Sequence, residues 1–270
     1  MTCCCMPKLK GGYRIAFLWF FVQCSVLLFG QPRHVDSEVM VIAHRGGIVE
    51  GVPENTLSAF KRSIELGVDY IEADLRASGD GEIVVFHDAT LDRTTNGEGR
   101  LSEWSINALK QLDLGNGEKI PTFEELLKIA SGSGVGLVLD IKASESVDLK
   151  EVLQAAGKYQ MQSSIIIGVR SLEDLKTVKR MDRNVTLLGF IPGIQSVDDF
   201  IEAGVHKIRL WPEWIEEHEE LIPAIHEKGV DVWMTAGDLD LKVLDLPLKK
   251  GIDGLIYDRP AALIEHLLYR

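Results

Sequence analysis

Residues 70 to 88 read YIEADLRASGDGEIVVFHD, and Glu72 and Asp74 interrupt a pattern that otherwise suits a buried strand. Ile71, Ala73 and Leu75 alternate with Glu72, Asp74 and Arg76, and side chains of a strand point to opposite faces with period two. Both acids therefore share a face, with Cβ atoms roughly 6.6 Å apart, close enough to grip one cation. Three other short clusters have the same character: His44-Arg45-Gly46-Gly47 after VMVIA, His87-Asp88 after IVVF, and Asp140-Ile141-Lys142 after GLVL. Glu72, Asp74 and Asp140 together supply a hard oxygen site suited to Mg²⁺ or Ca²⁺. His44 and His87 offer a base and an acid, while Arg45 and Lys142 add positive charge around an anionic group. A divalent ion, a histidine pair and cations are what phosphodiester cleavage asks for. Each residue alone has a plainer explanation: a wet antiparallel strand for the acid pair, a loop histidine, a snorkelling lysine, a helix-capping aspartate. Their joint position at strand ends is what favours chemistry. Trp233 is expected to wall the pocket against an apolar part of the ligand, with barrel filling as the alternative for it, Trp211 and Trp214.

The elements that must carry these residues alternate. From residue 39 onward, short apolar runs at 39–44, 70–75, 136–142, 164–169, 186–191, 207–211, 230–235 and 253–258 read as strands separated by helical stretches, the pattern of a parallel sheet wrapped by helices. NTLSAFKRSIELG has Asn55 or Thr56 near its cap and Gly67 as a stop, and SLEDLKTVKRM opens on Ser171 with acids in its first turn. Eight such strands in roughly 230 residues suit an α/β fold of the (β/α)8 TIM-barrel type, whose typical length is about 250 residues. An open doubly wound sheet is the alternative, but no glycine-rich dinucleotide loop follows the first strand. Between Asp74 and Gly136 the rhythm breaks: GEIVVFHD is a further strand-like piece reached through SGDG. A small insertion at the C-terminal mouth of the second strand accounts for it, and that rim carries the active site in barrels.

Composition sets the remaining bounds. With 46% hydrophobic and 26% charged residues in a 270-residue chain, the sequence has the make-up of a folded domain rather than a disordered one. The formal net charge is −12; Lys8, Lys10, Arg14 and Arg33 against Asp36 give residues 1–36 a charge of +3, leaving −15 for the rest. Such a surface repels a phosphate backbone, so nucleic acid is not an expected partner. All four cysteines lie within the first 24 residues, so no internal disulfide staples the body of the chain. Lys8, Lys10 and Arg14 precede the apolar run IAFLWFFVQCSVLLFG at 15–30, a charged region followed by a hydrophobic one. Residues 1–36 are accordingly expected to be a signal peptide or an N-terminal membrane anchor with its linker, and 37–270 the barrel domain. The protein is then exported, periplasmic or extracellular, or attached to a membrane through residues 15–30; no oligomeric state is implied.

In order and spacing, AHRGG (43–47), PENT (53–56), EADL (72–75), VFHD (85–88), LDRTTNGEG (91–99), IPTFEELL (120–127), DIK (140–142) and GIDGLIYDRP (251–260) resemble the glycerophosphodiester phosphodiesterases. The resemblance implies a barrel that hydrolyses deacylated phospholipids such as glycerophosphocholine to glycerol 3-phosphate and an alcohol, with a divalent ion as cofactor. It implies His44 and His87 as the acid–base pair, Arg45 at the phosphate, and Glu72 and Asp74 as metal ligands. The family's third carboxylate is the Glu of a Glu-x-Lys motif, and Asp140 with Lys142 takes that place here. Where the family reads Trp-Thr-Val-Asn near the seventh strand, this chain has Trp233-Met234-Thr235-Ala236. The attacking group is either water or the glycerol 2-hydroxyl. Two other readings are a phospholipase acting on intact or lyso lipids, which calls for an apolar rim, and a non-catalytic glycerophosphodiester-binding protein.

Overall fold

The computed structural model describes residues 39–142 and 147–269. All belong to one compact unit, Pro32–Arg270, and the expected leader or anchor at 1–36 lies outside the described residues. Among the described residues, nine strands form one sheet: β1 (Met40–Ala43), β2 (Tyr70–Ala77), β3 (Ile83–Val85), β4 (Gly136–Ile141), β5 (Ile165–Val169), β6 (Thr186–Gly189), β7 (Lys207–Leu210), β8 (Asp231–Gly237) and β9 (Gly254–Tyr257). Their order is β1-β9-β8-β7-β6-β5-β4-β2-β3, and β1 also pairs with β2. That last pairing, Ile42 with Tyr70 and Ala43 with Ile71, closes eight parallel strands into a barrel. β3 stays outside the ring, antiparallel to the end of β2 through Leu75–Val85 and Ala77–Ile83.

Alternation along the strands divides the core into two layers. Ile71, Ala73 and Leu75 of β2 are fully buried in the cluster between strands and helices, while the opposite face of β2 carries Glu72 and Asp74. The barrel interior is plugged by Ile42, Val138, Ile166, Leu188, Phe190, Trp233 and Ile256. Two glycines make room for its rings. A Cβ on Gly254 would stand 2.8 Å from the Trp233 ring, and one on Gly168 would stand 2.1 Å from Phe190.

The outer ring is made of α1 (Leu57–Leu66), α3 (Phe123–Ala130), α4 (Leu149–Lys158), α5 (Leu172–Met181), α6 (Val197–Glu202), α7 (Pro212–Glu217), α8 (Leu221–His226), α9 (Asp245–Lys249) and α10 (Pro260–Leu268), while the short α2 (Ile106–Leu109) belongs to the segment after β3. The capping signals act as the sequence suggests. Thr56 Oγ1 accepts from Ala59 N at 3.2 Å and Gly67, at φ 72°, ends α1 in the left-handed region. Ser171 caps α5 through Asp174 N. In α3, Thr122 and Glu125 form a reciprocal capping box, worth about 1 kcal/mol. The segment after β3 has a small core of its own, Val84, Phe86, Leu91, Leu101, Leu109, Leu112, Leu114 and Ile120. The insertion after the second strand is thus a packed appendage that sets His87 over the barrel mouth. Among the described residues, no helix is long and apolar enough to cross a membrane.

Candidate active site

His44, Arg45, Glu72, Asp74, His87, Asp140 and Lys142 all line one cavity of about 430 Å³ at the C-terminal mouth of the barrel. Register explains the acids. Asp74 of β2 stands directly beside Asp140 of β4, with Glu72 one inward position below. Oxygen atoms of Glu72, Asp74 and Asp140 lie within 4.8 Å of one another, and all three residues are buried.

The connection from β1 to α1 is locked onto these acids. Arg45 has φ 51° and Asn55 φ 56°, left-handed conformations that cost a non-glycine residue on the order of 1 kcal/mol. They are held by what they touch. Arg45 N donates to Glu72 Oε2 at 2.9 Å, Asn55 N donates to Arg45 O at 2.8 Å, and Asn55 Nδ2 donates to Asp74 Oδ2 at 2.9 Å. The Arg45 guanidinium pairs with Glu54 at 2.9 Å and lies 3.5 Å from Asp74.

Each histidine is backed by a carboxylate. His44 Nδ1 lies 2.5 Å from Asp258 Oδ1, and His87 Nδ1 lies 2.5 Å from Asp88 Oδ1. An ionised carboxylate only accepts, so both rings carry the proton on Nδ1 and keep Nε2 for the cavity. His44 Nε2 is 3.9 Å from Glu72. A chain of pairs ties the second histidine to the first motif: Arg93 meets Asp88 at 2.5 Å and Glu54 at 2.7 Å, and Glu54 holds Arg45.

Electrostatics follow from burial and crowding. Burial, then the neighbouring Asp74, push the Glu72 carboxyl up to about 8. Burial also disfavours the charged form of His44, but the Asp258 hydrogen bond and the Glu72 charge outweigh it and the imidazole pKa is raised. For Asp140, burial is outweighed by Lys142 and Arg170, which hold the carboxyl below its ordinary value. Lys142 Nζ bridges Asp74 at 2.7 Å and Asp140 at 2.5 Å, and Arg170 Nη2 reaches both Asp140 oxygens at 2.7 and 2.8 Å. Three crowded, buried carboxylates are a hard-donor set that could hold a divalent cation, which would relieve the repulsion that raises Glu72. The Asp at position 140 is therefore within reach of the other two acids despite its shorter side chain.

Residues 44–262 match the Glycerophosphoryl diester phosphodiesterase family. A glycerophosphodiester phosphodiesterase from Caldanaerobacter subterraneus subsp. tengcongensis is 32% identical over 84% of this chain and 97% of its own length. The chain belongs to the glycerophosphodiester phosphodiesterase family. As such it is a phosphoric diester hydrolase built on a TIM barrel. A phosphodiesterase from Oleispira antarctica, solved with the product sn-glycerol 3-phosphate, superposes with a TM-score of 0.76 at 25% identity, covering 86% of this chain and 97% of that one. A glycerophosphoryl diester phosphodiesterase from Parabacteroides distasonis gives 0.74 at 26% identity, covering 87% and 88%.

Trp233, expected at the pocket wall, is fully buried below the cavity, tilted against Tyr70 at 5.6 Å between centroids. It does not line the cavity; Phe190 and Trp211 do. Sequence reasoning also passed over Asp258, Glu54, Arg170 and Arg209. Glu54 and Asp258 sit in the PENT and GLIYDRP motifs, and Arg209 carries the same signal as Glu72, a charge at an inward position of a buried strand.

Proposed function

We propose that this phosphodiesterase hydrolyses small glycerophosphodiesters to glycerol 3-phosphate and an alcohol, with His44 and His87 as the general acid–base pair. One observation carries this reading: two histidines, each with Nδ1 tied to a carboxylate, share a cavity with a triad of buried acids. Glu72, Asp74 and Asp140 would hold a divalent cation, Mg²⁺ or Ca²⁺, which when bound supplies charge neutralisation at the phosphoryl oxygens. Arg45 and Lys142 add fixed positive charge beside the same oxygens. One histidine Nε2 removes the proton of the attacking hydroxyl, from water or the glycerol 2-position, and the other gives a proton to the leaving oxygen. Asp258 and Asp88 hold each ring in the required tautomer and stabilise the imidazolium that forms. The test is glycerol 3-phosphate release from glycerophosphocholine or glycerophosphoethanolamine. His44→Ala and His87→Ala are each expected to lower kcat by at least about 10²-fold while folding normally; small losses in both would remove the acid–base pair.

A water-soluble diester suits the cavity better than an intact lipid, because Trp211 is the one lining side chain among those described that is large, apolar and exposed. Export or membrane attachment is supported by the charge and hydropathy pattern of residues 8–30. Cell fractionation and N-terminal sequencing of the mature protein test it, and a cytosolic chain starting at Met1 would oppose it.

A further inference from the structure

Strand β7 stands across the barrel from β2, four strands away in either direction. Ile208 and Leu210 of β7 pack outward in the apolar layer beneath the helices. The alternate positions face the barrel interior and both are cations, Lys207 below and Arg209 at the mouth. Lys207 is accounted for: it pairs with Asp231 and lies 5.1 Å over the Trp233 ring. Arg209 is not. It is only 5% exposed, yet Nε and Nη1 have no hydrogen-bond partner among the described residues.

The other cations of the cavity are matched to carboxylates: Arg45 to Glu54, Lys142 to Asp74 and Asp140, and Arg170 to Asp140. Arg209 has aromatic rings instead, Trp211 at 3.7 Å and Phe190 at 5.2 Å from its guanidinium carbon. Stacking holds the guanidinium plane at the cavity wall, with its N–H groups unmatched by a carboxylate. Burial and the neighbouring Arg170 push its pKa down, but only to about 10, so it stays charged. A buried charge with unmade hydrogen bonds is costly unless a partner arrives.

The partner's chemistry follows from position. Arg209 lines the same cavity as the acid triad on β2 and β4, so a phosphodiester held at the triad would have room to extend one of its two ester arms toward β7. The glycerol arm is neutral and offers hydroxyls. A guanidinium edge is matched by a planar carboxylate or by phosphate oxygens, and it repels a quaternary ammonium. We propose that Arg209 is a specificity-determining residue that receives a carboxylate or phosphate carried on the alcohol arm of the substrate, so that anionic glycerophosphodiesters are preferred over neutral-arm or cationic ones. This rests on the hydrolytic reading above.

Glycerophosphoserine and glycerophosphoethanolamine differ by one carboxylate, which makes them a matched pair. Wild-type enzyme is expected to show kcat/KM at least about tenfold higher on glycerophosphoserine, the scale of a hydrogen-bonded charge, with most of the difference in KM. Glycerophosphoglycerol and its terminal phosphate ester form a second pair that separates phosphate from carboxylate as the preferred anion. Arg209→Met is expected to lower the serine-to-ethanolamine ratio toward one, and Arg209→Lys to restore part of it. Turnover of glycerophosphoethanolamine with neither anionic arm preferred would overturn the proposal and leave the hydrolytic reading intact. So would an equal loss on both members of a pair in Arg209→Met, because Arg209 would then be holding the shared glycerol or phosphate. Absence of glycerol 3-phosphate release from every one of these diesters would instead overturn the hydrolytic reading. If Arg209→Met fails to fold, the wild-type ratios and the Lys variant decide.

Discussion

Among single residues, Asp140 and Asp258 make the sharpest claims. Asp140 stands in register with Asp74 and already neutralises Lys142 and Arg170. If it is a metal ligand, Asp140→Asn removes a negative charge but keeps a carbonyl oxygen, so activity should fall and recover in part at high metal concentration. Asp140→Glu should retain substantial activity and change which of Mg²⁺ and Ca²⁺ is preferred, because the oxygen moves by about 1.3 Å and the larger ion's shell is more flexible. A wild-type metal titration in the Asn variant would show that Asp140 only pairs with its cations. Asp258 would act through His44, which it contacts at 2.5 Å. Its hydrogen bond raises the imidazole pKa, so Asp258→Asn should move the His44 limb of the kcat/KM pH profile to lower pH and cut kcat by at least about tenfold. An unmoved limb would separate Asp258 from the chemistry.

Among elements, the strands carry the site by register and by what they leave out. Gly168 faces Asp140 across the β4–β5 pair, and the space its missing side chain leaves is filled by the Phe190 ring. Phe190 in turn lies against both Arg170 and Arg209. Gly168→Ala should therefore destabilise by about 1–3 kcal/mol through overpacking and disturb the guanidinium pair; an unchanged denaturation midpoint would contradict this packing. These features also mark how far the sequence could be read. The eight strands were legible because each is buried on both faces, and the acid pair because period-two alternation put two charges where apolar residues belong. The insertion showed itself as a break in that rhythm. Asp258 was not legible as the partner of His44, since 214 positions separate them and nothing local signals the contact. Trp233 was misplaced for a related reason. Alternation gives the inward face of β8 but not the depth, and the ring lies in the layer below the cavity, where Gly254 admits it.

At the scale of the whole molecule, the acid triad would couple folding to pH and, through a bound ion, to metal. Glu72 binds its proton more tightly when folded, at about 8 against 4.5 unperturbed. The folded state then carries more bound protons than the unfolded one across that window, so stability falls as pH rises through it. His44, with its raised pKa, contributes in the same direction above its unfolded value. Metal-free protein should therefore melt at progressively lower temperature from about pH 5 to pH 8. A divalent ion that binds only the folded triad should raise the melting temperature, most at the upper end of the range. A pH-independent melting curve, or no response to metal, would deny the coupling.

The central claim is that a divalent ion held by Glu72, Asp74 and Asp140 works with the two histidines on a glycerophosphodiester. The direct measurement is glycerol 3-phosphate release by the chelated protein before and after adding back Mg²⁺ or Ca²⁺, with Glu72→Ala and Asp74→Ala in parallel. Release should be lost on chelation, return with one of the two ions, and stay absent at ordinary metal concentrations in both variants. Undiminished release by the chelated wild-type protein, or wild-type turnover in either variant, would contradict it.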